Sequence, residues 1–258
     1  MSNVPGKLSV VIICRDEEAN IRDCLESVKW ADEIVVVDSG STDRTLEIVR
    51  EYTDSIHEHE WEGYGAQKDY AMRLAEGDWV LNVDADERVS AELASEIRKV
   101  LLQETPEPVA YSVPRKTFYL GRWITHGGWY PDRKVRLVRR GRGTWGRTQL
   151  HESLTVDGAV AKLKGDLYHF TYRDVSDHLK VIDNFTTVAA QQMAERGTRG
   201  VLLRLILHPP WKFVRMYLLK LGFLDGAAGL IVASLGAYYV FLKYAKLWEL
   251  RHAKERSG

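Results

Sequence analysis

The chain has 258 residues, of which 45% are hydrophobic and 28% charged, and its net charge is zero. That length suits one large globular domain, or one domain with an appendage, around a sizeable core. Its two cysteines, Cys14 and Cys24, fall in a predicted strand and the helix after it, which argues against a disulfide and fits a reducing compartment. Met1 to Lys7 holds no apolar core of signal-peptide length, which argues against secretion.

The charge is unevenly spread. From Arg199 onward there are ten Lys or Arg and three Asp or Glu, a local net of +7, which leaves −7 on the first 198 residues. Within those, Arg115 to Arg147 holds ten basic residues and one acid, Asp132. A basic middle segment and a basic, apolar tail suggest an anionic partner or surface, the alternative being solvated faces.

In chain order, Leu8 to Cys14 is an apolar, β-branched run and predicts a buried strand, followed by a polar loop, Arg15-Asp16-Glu17-Glu18. Ala19 to Lys29 predicts a helix with Ile21, Leu25 and Val28 on one face. Glu33 to Asp38 predicts a second strand ending in an acid, and Ser39 to Asp43 a turn whose hydroxyls cap a helix from Arg44 to Tyr52. Ser55 to Glu58 is a short third strand, and Gly63 and Gly65 mark a loop before a helix from Ala66 to Glu76. Trp79 to Asp84 is again a buried strand, and Ser90 caps a helix from Ala91 to Gln103. This alternation implies a parallel sheet with right-handed crossovers.

Three strands therefore end in polar or acidic residues at one edge: Arg15 to Glu17, Asp38-Ser39, and Asp84 with Asp86. The carboxyl edge is where open α/β sheets bind ligands. Two carboxylates in Asp84-Ala85-Asp86 are costly there unless neutralised, and a divalent cation holding phosphate oxygens would neutralise them; the plainer alternative is an acidic turn. No Gly-x-Gly-x-x-Gly follows the first strand, and no P-loop, Gly-x-Ser-x-Gly or Cys-x-x-Cys pattern occurs, which disfavours dinucleotide, P-loop, hydrolase-elbow and redox or zinc readings.

Four stretches in order then carry a resemblance: Val10 to Glu18, Val36 to Asp43, Gly65 to Lys68 and Asp84-Ala85-Asp86. Together they resemble family-2 glycosyltransferases, which have the α/β nucleotide-sugar fold called GT-A, a mostly parallel sheet flanked by helices. Gly128 to Asp132, Arg136 to Arg140, His151-Glu152 and Gly222 to Gly226 are similar to the branch containing the lipopolysaccharide inner-core β-1,4-glucosyltransferases. One departure is Arg15-Asp16, where the family more often has Asn second.

The resemblance implies inverting transfer of a sugar, glucose from a UDP-sugar, to a lipid-linked or anionic saccharide. It implies that Asp86, with Asp84, holds Mg²⁺ or Mn²⁺ and the ribose or diphosphate, with His169 as a further ligand or else a packed, hydrogen-bonded residue. It places Glu152 as the base that takes the acceptor proton, the alternative being a charged residue at the start of a strand, with His151 orienting the acceptor or shifting the pKa of the base. Asp38 and Lys68, helped by Cys14, Arg15, Glu17 and Ala85, form the nucleotide-sugar set: Asp38 to accept from the uracil imide, Lys68 to reach the base or phosphates. Trp129, Arg136 and Arg139, from the basic aromatic segment, form the acceptor side, since rings stack on sugars and guanidinium forks bind phosphate or carboxylate. No nucleic-acid partner is expected.

Val175 to Arg196 predicts an amphipathic helix. In Val201 to Phe223, Arg204, His208, Lys212, Arg215 and Lys220 recur at steps of four, four, three and five, the stripe of a helix lying in a membrane interface, with Pro209-Pro210 as a kink. Gly226 to Leu242 is uncharged for 17 residues, short for a span, and reads as an interfacial or re-entrant helix or as packed helices. The expected organisation is a catalytic domain over 1–174, with a nucleotide-sugar half over 1–103 and an acceptor half over 104–174. A helical region over 175–258 attaches it, peripherally or monotopically, to the cytoplasmic face of the inner membrane. The competing readings are a family-2 transferase with a peptide or capsule acceptor, and a non-catalytic membrane-bound scaffold.

Overall fold

The computed structural model describes residues 6–103, 107–146 and 153–255. The chain forms two compact units, one of Met1–Lys116 with Asp132–Phe170 and one of Thr117–Pro131 with Thr171–Gly258.

The first unit opens as the alternating pattern predicts. Strands β1 (Leu8–Cys14), β2 (Glu33–Asp38), β3 (Ile56–Glu58) and β4 (Trp79–Asp84) alternate with helices α1 (Ile21–Val28), α2 (Thr45–Val49) and α3 (Tyr64–Leu74). They pair in parallel in the order β3-β2-β1-β4. Both faces are covered, so β1, β2 and β4 are apolar on both faces along most of their length. Val10, Ile12, Val36 and Leu81 face Ile21, Leu25, Leu93 and Ile97, while Val11, Ile13, Val35 and Val80 face Ala71, Met72 and Trp145. Such double burial is what distinguishes a parallel sheet from a half-wet antiparallel one.

Beyond β4 come β5 (Glu87–Val89), α4 (Ala91–Leu101), β6 (Ala110–Tyr119), β7 (Arg122–Ile124), β8 (Asp132–Arg139), β9 (Gly143–Trp145), β10 (Leu154–Val156), β11 (Val160–Lys162) and β12 (Leu167–His169). The sheet continues β4-β8-β6-β12-β5, and β8 runs antiparallel to both β4 and β6. Ser90 caps α4 through the Leu93 N–H, as expected. At α2 the cap differs from the expected hydroxyl: the Asp43 carboxylate accepts from the Thr45 N–H at 2.9 Å.

The second unit holds β7 and three helices, α5 (Val175–Glu195), α6 (Val201–Val214) and α7 (Gly226–Glu255). Pro209 and Pro210 lie inside α6 without ending it, and the hydrogen-bond ladder widens only afterwards, in a π-helical turn over Arg215–Leu219. Gly226 to Leu242 belongs to one unbroken 30-residue helix, without the break a re-entrant segment needs. Gly222–His252 is long and apolar enough to cross a membrane by length and composition.

The Gly222 to Gly226 motif has a packing reason. A Cβ on Gly222 would sit 2.7 Å from the Met216 carbonyl, and one on Gly229 only 1.8 Å from the Gly222 carbonyl. Asp225, 1% exposed, accepts from the Thr125 and His126 N–H groups and ties this turn to the end of β7.

Candidate active site

The first two loops at the carboxyl edge are knitted to each other. The Asp16 N–H donates to Ser41 Oγ, Glu17 N–H to Thr45 Oγ1 and Glu18 N–H to the Asp43 carboxylate. In return Asp16 Oδ1 accepts from the Thr42 N–H at 2.7 Å. Asp16 has φ +53°, a left-handed conformation that Asp and Asn tolerate better than other side chains. The Asp-for-Asn departure therefore preserves both the backbone and the acceptor.

Asp38 ends β2 at 1% exposure, and its oxygens face its own loop. Oδ2 accepts from the Gly40 and Ser41 N–H groups at 2.9 and 2.8 Å, while Oδ1 accepts from Ser41 Oγ and, at 3.6 Å, from the Cys14 thiol. Burial and the adjacent Asp38 push the Cys14 thiol pKa well up, so it is a neutral donor. Asp38 thus shapes the loop. Arg15 is exposed, with its guanidinium 3.8 Å from Asp16, and the Glu17 carboxylate accepts from Asn20 at 2.9 Å. Gln67 pins the neighbouring loop by donating to Ser39 Oγ and to the His59 and Glu60 carbonyls.

The third loop carries an ion network that the sequence does not announce. Lys68 reaches from the first turns of α3 to Asp84 Oδ1 at 2.8 Å, and Arg136 reaches from β8 to Asp84 Oδ2 at 2.7 Å. Both oxygens of Asp84 are therefore engaged by protein cations. Arg136 also holds Glu87 Oε1 at 2.6 Å, and Glu87, fully buried, accepts from the Asp84 N–H. Arg115 lies 3.6 Å from Glu87 and 2.7 Å from Asp132. Burial by itself would raise the Asp84 pKa, but Arg136 and Lys68 outweigh it and hold the carboxyl well below the usual range. Arg136 Nε is buried with no hydrogen-bond partner.

Asp86 stands apart from this network. Its Oδ2 lies 3.2 Å from His169 Nε2, and no Lys or Arg bridges it among the described residues. β12 pairs with β5 so that His169 opposes Glu87, and the Phe170 N–H donates to the Asp86 carbonyl, which fixes the two side chains side by side. Ala85 between the aspartates is buried at 5% exposure and orients the turn.

No three His, Cys, Asp or Glu side chains converge on a metal position among the described residues. The Asp86–His169 pair nevertheless fits a hard divalent ion. An octahedral ion with ligands at about 2.1 Å needs adjacent ligand atoms roughly 3 Å apart, and such ions complete their shell with phosphate oxygens and water. Asp84, expected beside Asp86 as a ligand, has one protein cation on each oxygen, Lys68 and Arg136, and each oxygen keeps a further lone pair.

The remaining expected positions fall in several places. Lys68, expected to reach the base or the phosphates, is buried on Asp84, with its ammonium 4.8 Å from the Trp145 ring centre. Arg136, expected on the acceptor side, is 3% exposed and serves the acids instead. Arg139 opposes Trp79 at the amino end of β4, five strand steps from Asp84, or about 16 Å. It packs 5.7 Å from the Trp79 ring and points to no acid at the carboxyl edge. Trp129 belongs to the second unit, in an aromatic cluster with Tyr119, Tyr172 and His178. His151 and Glu152 lie outside the described residues.

Glu87 and Arg115 were absent from the expected site. The signal for Glu87 was its place directly after Asp86, where a third acid in a buried turn requires a buried cation. No local pattern names Arg136 or Arg115 as that cation, because β8 and β6 reach the site only through sheet pairing.

Parallel strands that deliver a knitted pair of loops and an Asp-x-Asp turn to one edge define a GT-A glycosyltransferase. The chain belongs to glycosyl transferase family 2, whose model matches residues 9–152. It is 36% identical over 253 residues to the lipopolysaccharide core biosynthesis glycosyltransferase LpsC of Rhizobium meliloti, covering 95% of this chain and 93% of that one. It is 28% identical to an uncharacterised glycosyltransferase of Rickettsia typhi, covering 95% and 87%. In fold it is similar to a mannosyltransferase of Pyrobaculum calidifontis solved in complex with GDP-Man and Mn²⁺, with a TM-score of 0.55 at 15% identity over 95% of this chain and 88% of that one.

Proposed function

We propose that the chain transfers a hexose, glucose from a UDP-sugar, with inversion onto a lipid-linked, anionic saccharide of the lipopolysaccharide inner core. The observation that carries the donor half of this reading is Asp86 beside His169, an acid without a Lys or Arg among the described residues, while Asp84 and Glu87 next to it are met by cations. That arrangement fits Mg²⁺ or Mn²⁺ arriving with the donor diphosphate. When bound, the ion neutralises charge on the leaving diphosphate.

The chain's own residues do the rest. Lys68 and Arg136 keep Asp84 ionised and fixed, so the Asp-x-Asp turn is rigid before the donor binds. Ionised Asp84 sits at the carboxyl edge as an acceptor toward donor hydroxyls, and the loop built on Asp38, Ser39 and Ser41 frames the nucleoside. The acceptor hydroxyl oxygen attacks the anomeric carbon, the bond from that carbon to the diphosphate oxygen breaks, and the diphosphate leaves with the electron pair. Glu152 takes the hydroxyl proton, a role its place in the family-like His151-Glu152 pair supports. A single in-line displacement of this kind inverts the anomeric centre.

The saccharide acceptor rests on the 36% identical LpsC, whose name assigns it to lipopolysaccharide core biosynthesis. The basic residues of the middle segment suit an anionic acceptor. The helical second unit, with its exposed apolar side chains and basic tail, suits peripheral or monotopic attachment at the cytoplasmic face of the inner membrane. The direct test is hydrolysis and transfer from a panel of nucleotide sugars with Mn²⁺. UDP-glucose turnover that EDTA abolishes is expected; no turnover or binding of any nucleotide sugar would leave a scaffold.

A further inference from the structure

The second unit exposes far more apolar surface than its own packing explains, and on one helix it is concentrated. On α6, Leu202, Leu203, Ile206, Leu207 and Trp211 are 53 to 64% exposed within ten residues. At about 100° per residue they fill one half of the helix circumference. Val201 is buried and Leu205 packs against Ala190, Tyr244 and Leu247, which marks the opposite side as the seat on α7. Arg204 and His208 fall in the sector between the two, while Lys212 falls on the α7 side itself, and Arg215 follows in the π-helical turn. The apolar half of α6 therefore faces out, with a cationic border along the α6–α7 groove.

That border has an unusual feature. Lys212 is only partly exposed, and its side chain crosses α7 close enough to Gly236 that a Cβ there would meet Lys212 Cε at 3.7 Å. Lys243, two turns along that face of α7, lies 5.7 Å from the Tyr239 ring and 5.0 Å from the Tyr244 ring. No acid pairs with Lys212, Lys243 or Arg215 among the described residues. Burial first, and then Arg215 for Lys212 and Lys212 for Lys243, lowers both lysine pKa values, the mark of like charges held together. Two partly buried lysines beside an exposed arginine, with no acid among the described residues, are costly on their own, and an incoming phosphate would relieve them.

We infer that α6, not the longer and more continuously apolar α7, is the element that enters an anionic phospholipid leaflet, and that Lys212, Lys243 and Arg215 form a seat for a lipid headgroup phosphate at the border of the inserted face. α7 packs against both α5 and α6, and its exposed large apolar side chains, Leu230, Tyr238, Phe241 and Trp248, are spread over five turns. α7, although longer, is the helix against which the docking one packs. This deepens the membrane attachment proposed above and depends on it, but not on the identity of the sugar donor.

The test is co-sedimentation of the full chain with vesicles of phosphatidylcholine, and of phosphatidylcholine mixed with phosphatidylglycerol, with thermal unfolding of each variant as a fold check. Leu203→Glu with Leu207→Glu is expected to lower partitioning at least tenfold, roughly, on both vesicle types. Leu230→Glu with Phe241→Glu is expected to change it less than about threefold, because the face it alters is not the inserted one. Lys212→Gln with Lys243→Gln is expected to keep binding to phosphatidylcholine and to lose about tenfold of the preference for phosphatidylglycerol. If the α7 pair abolishes binding while the α6 pair does not, the inference is overturned and membrane attachment stands. If the lysine pair leaves the anionic preference intact, the phosphate seat is overturned. If the wild-type chain ignores both vesicle types, attachment itself fails along with the inference.

Discussion

The two units handle charge in opposite ways. At the carboxyl edge of the first unit, Asp84 and Glu87 are buried or nearly so, and each is met by a cation at 2.6 to 2.8 Å. In the second unit, Lys212, Arg215 and Lys243 have no acid among the described residues and lie beside an apolar face left in solvent. Paired buried charges hold a shape; uncompensated ones anticipate a partner. Asp86 is the point in the first unit that behaves like the second among the described residues, and this contrast is the ground on which a metal ion is proposed there.

The largest expected effect tests that division. Asp86→Ala should remove Mn²⁺-dependent turnover by about a thousandfold or more while leaving the unfolding temperature near wild type, since several kcal/mol of charge stabilisation depend on the ion it holds. Arg136→Met should do the reverse. It leaves Glu87 buried with its main cation gone and Asp84 with Lys68 alone, and removing one partner of a buried ion pair costs about 3–5 kcal/mol. For a chain of this size that is a fall in Tm of roughly 10 °C, read by calorimetry. If Arg136→Met were as stable as wild type, the network would not be the turn's support.

A smaller effect is expected at His169→Ala, which should weaken Mn²⁺ binding by at least about tenfold in a titration with nucleotide present, and by more than it weakens nucleotide binding without metal. His178 gives a pH-dependent prediction in the second unit. Burial lowers its pKa from 6.5 to about 4, so the unfolded chain binds the extra proton between those values. Stability is therefore full above pH 6.5 and declines as pH falls toward 4, and His178→Gln should flatten that slope in unfolding titrations. The smallest effect is at Arg139→Gln, which should change kcat/KM for donor and acceptor by less than about twofold, because its guanidinium sits at the far end of β4.

The sequence made the parallel half legible because its signals are local. Apolar strands such as Val10 to Cys14 and the turn at Asp84 each carry their own pattern. The ion network was not legible, because it depends on where β8 pairs. The register Trp79 opposite Arg139 carries Arg136 toward Asp84, and nothing near Arg136 in the chain states that register. A run of Arg and Lys read as one basic surface is in fact divided by strand geometry: Arg136 turns inward to acids, and Arg139 lies by Trp79. Asp38 shows the same limit on a smaller scale, since an acid at a strand end does not announce that the Gly40 and Ser41 N–H groups fold back on it. In the tail, composition identified an apolar basic helix at α6 but not that α7 would continue unbroken behind it.

The central claim is that donor binding runs through a metal ion at Asp86. Calorimetric titration of UDP-glucose into the wild type and into Asp86→Ala, each with Mn²⁺ and with EDTA, tests it most directly. Tight binding only for the wild type with Mn²⁺ is the predicted result; equal affinity in EDTA, or in Asp86→Ala with Mn²⁺, would contradict it.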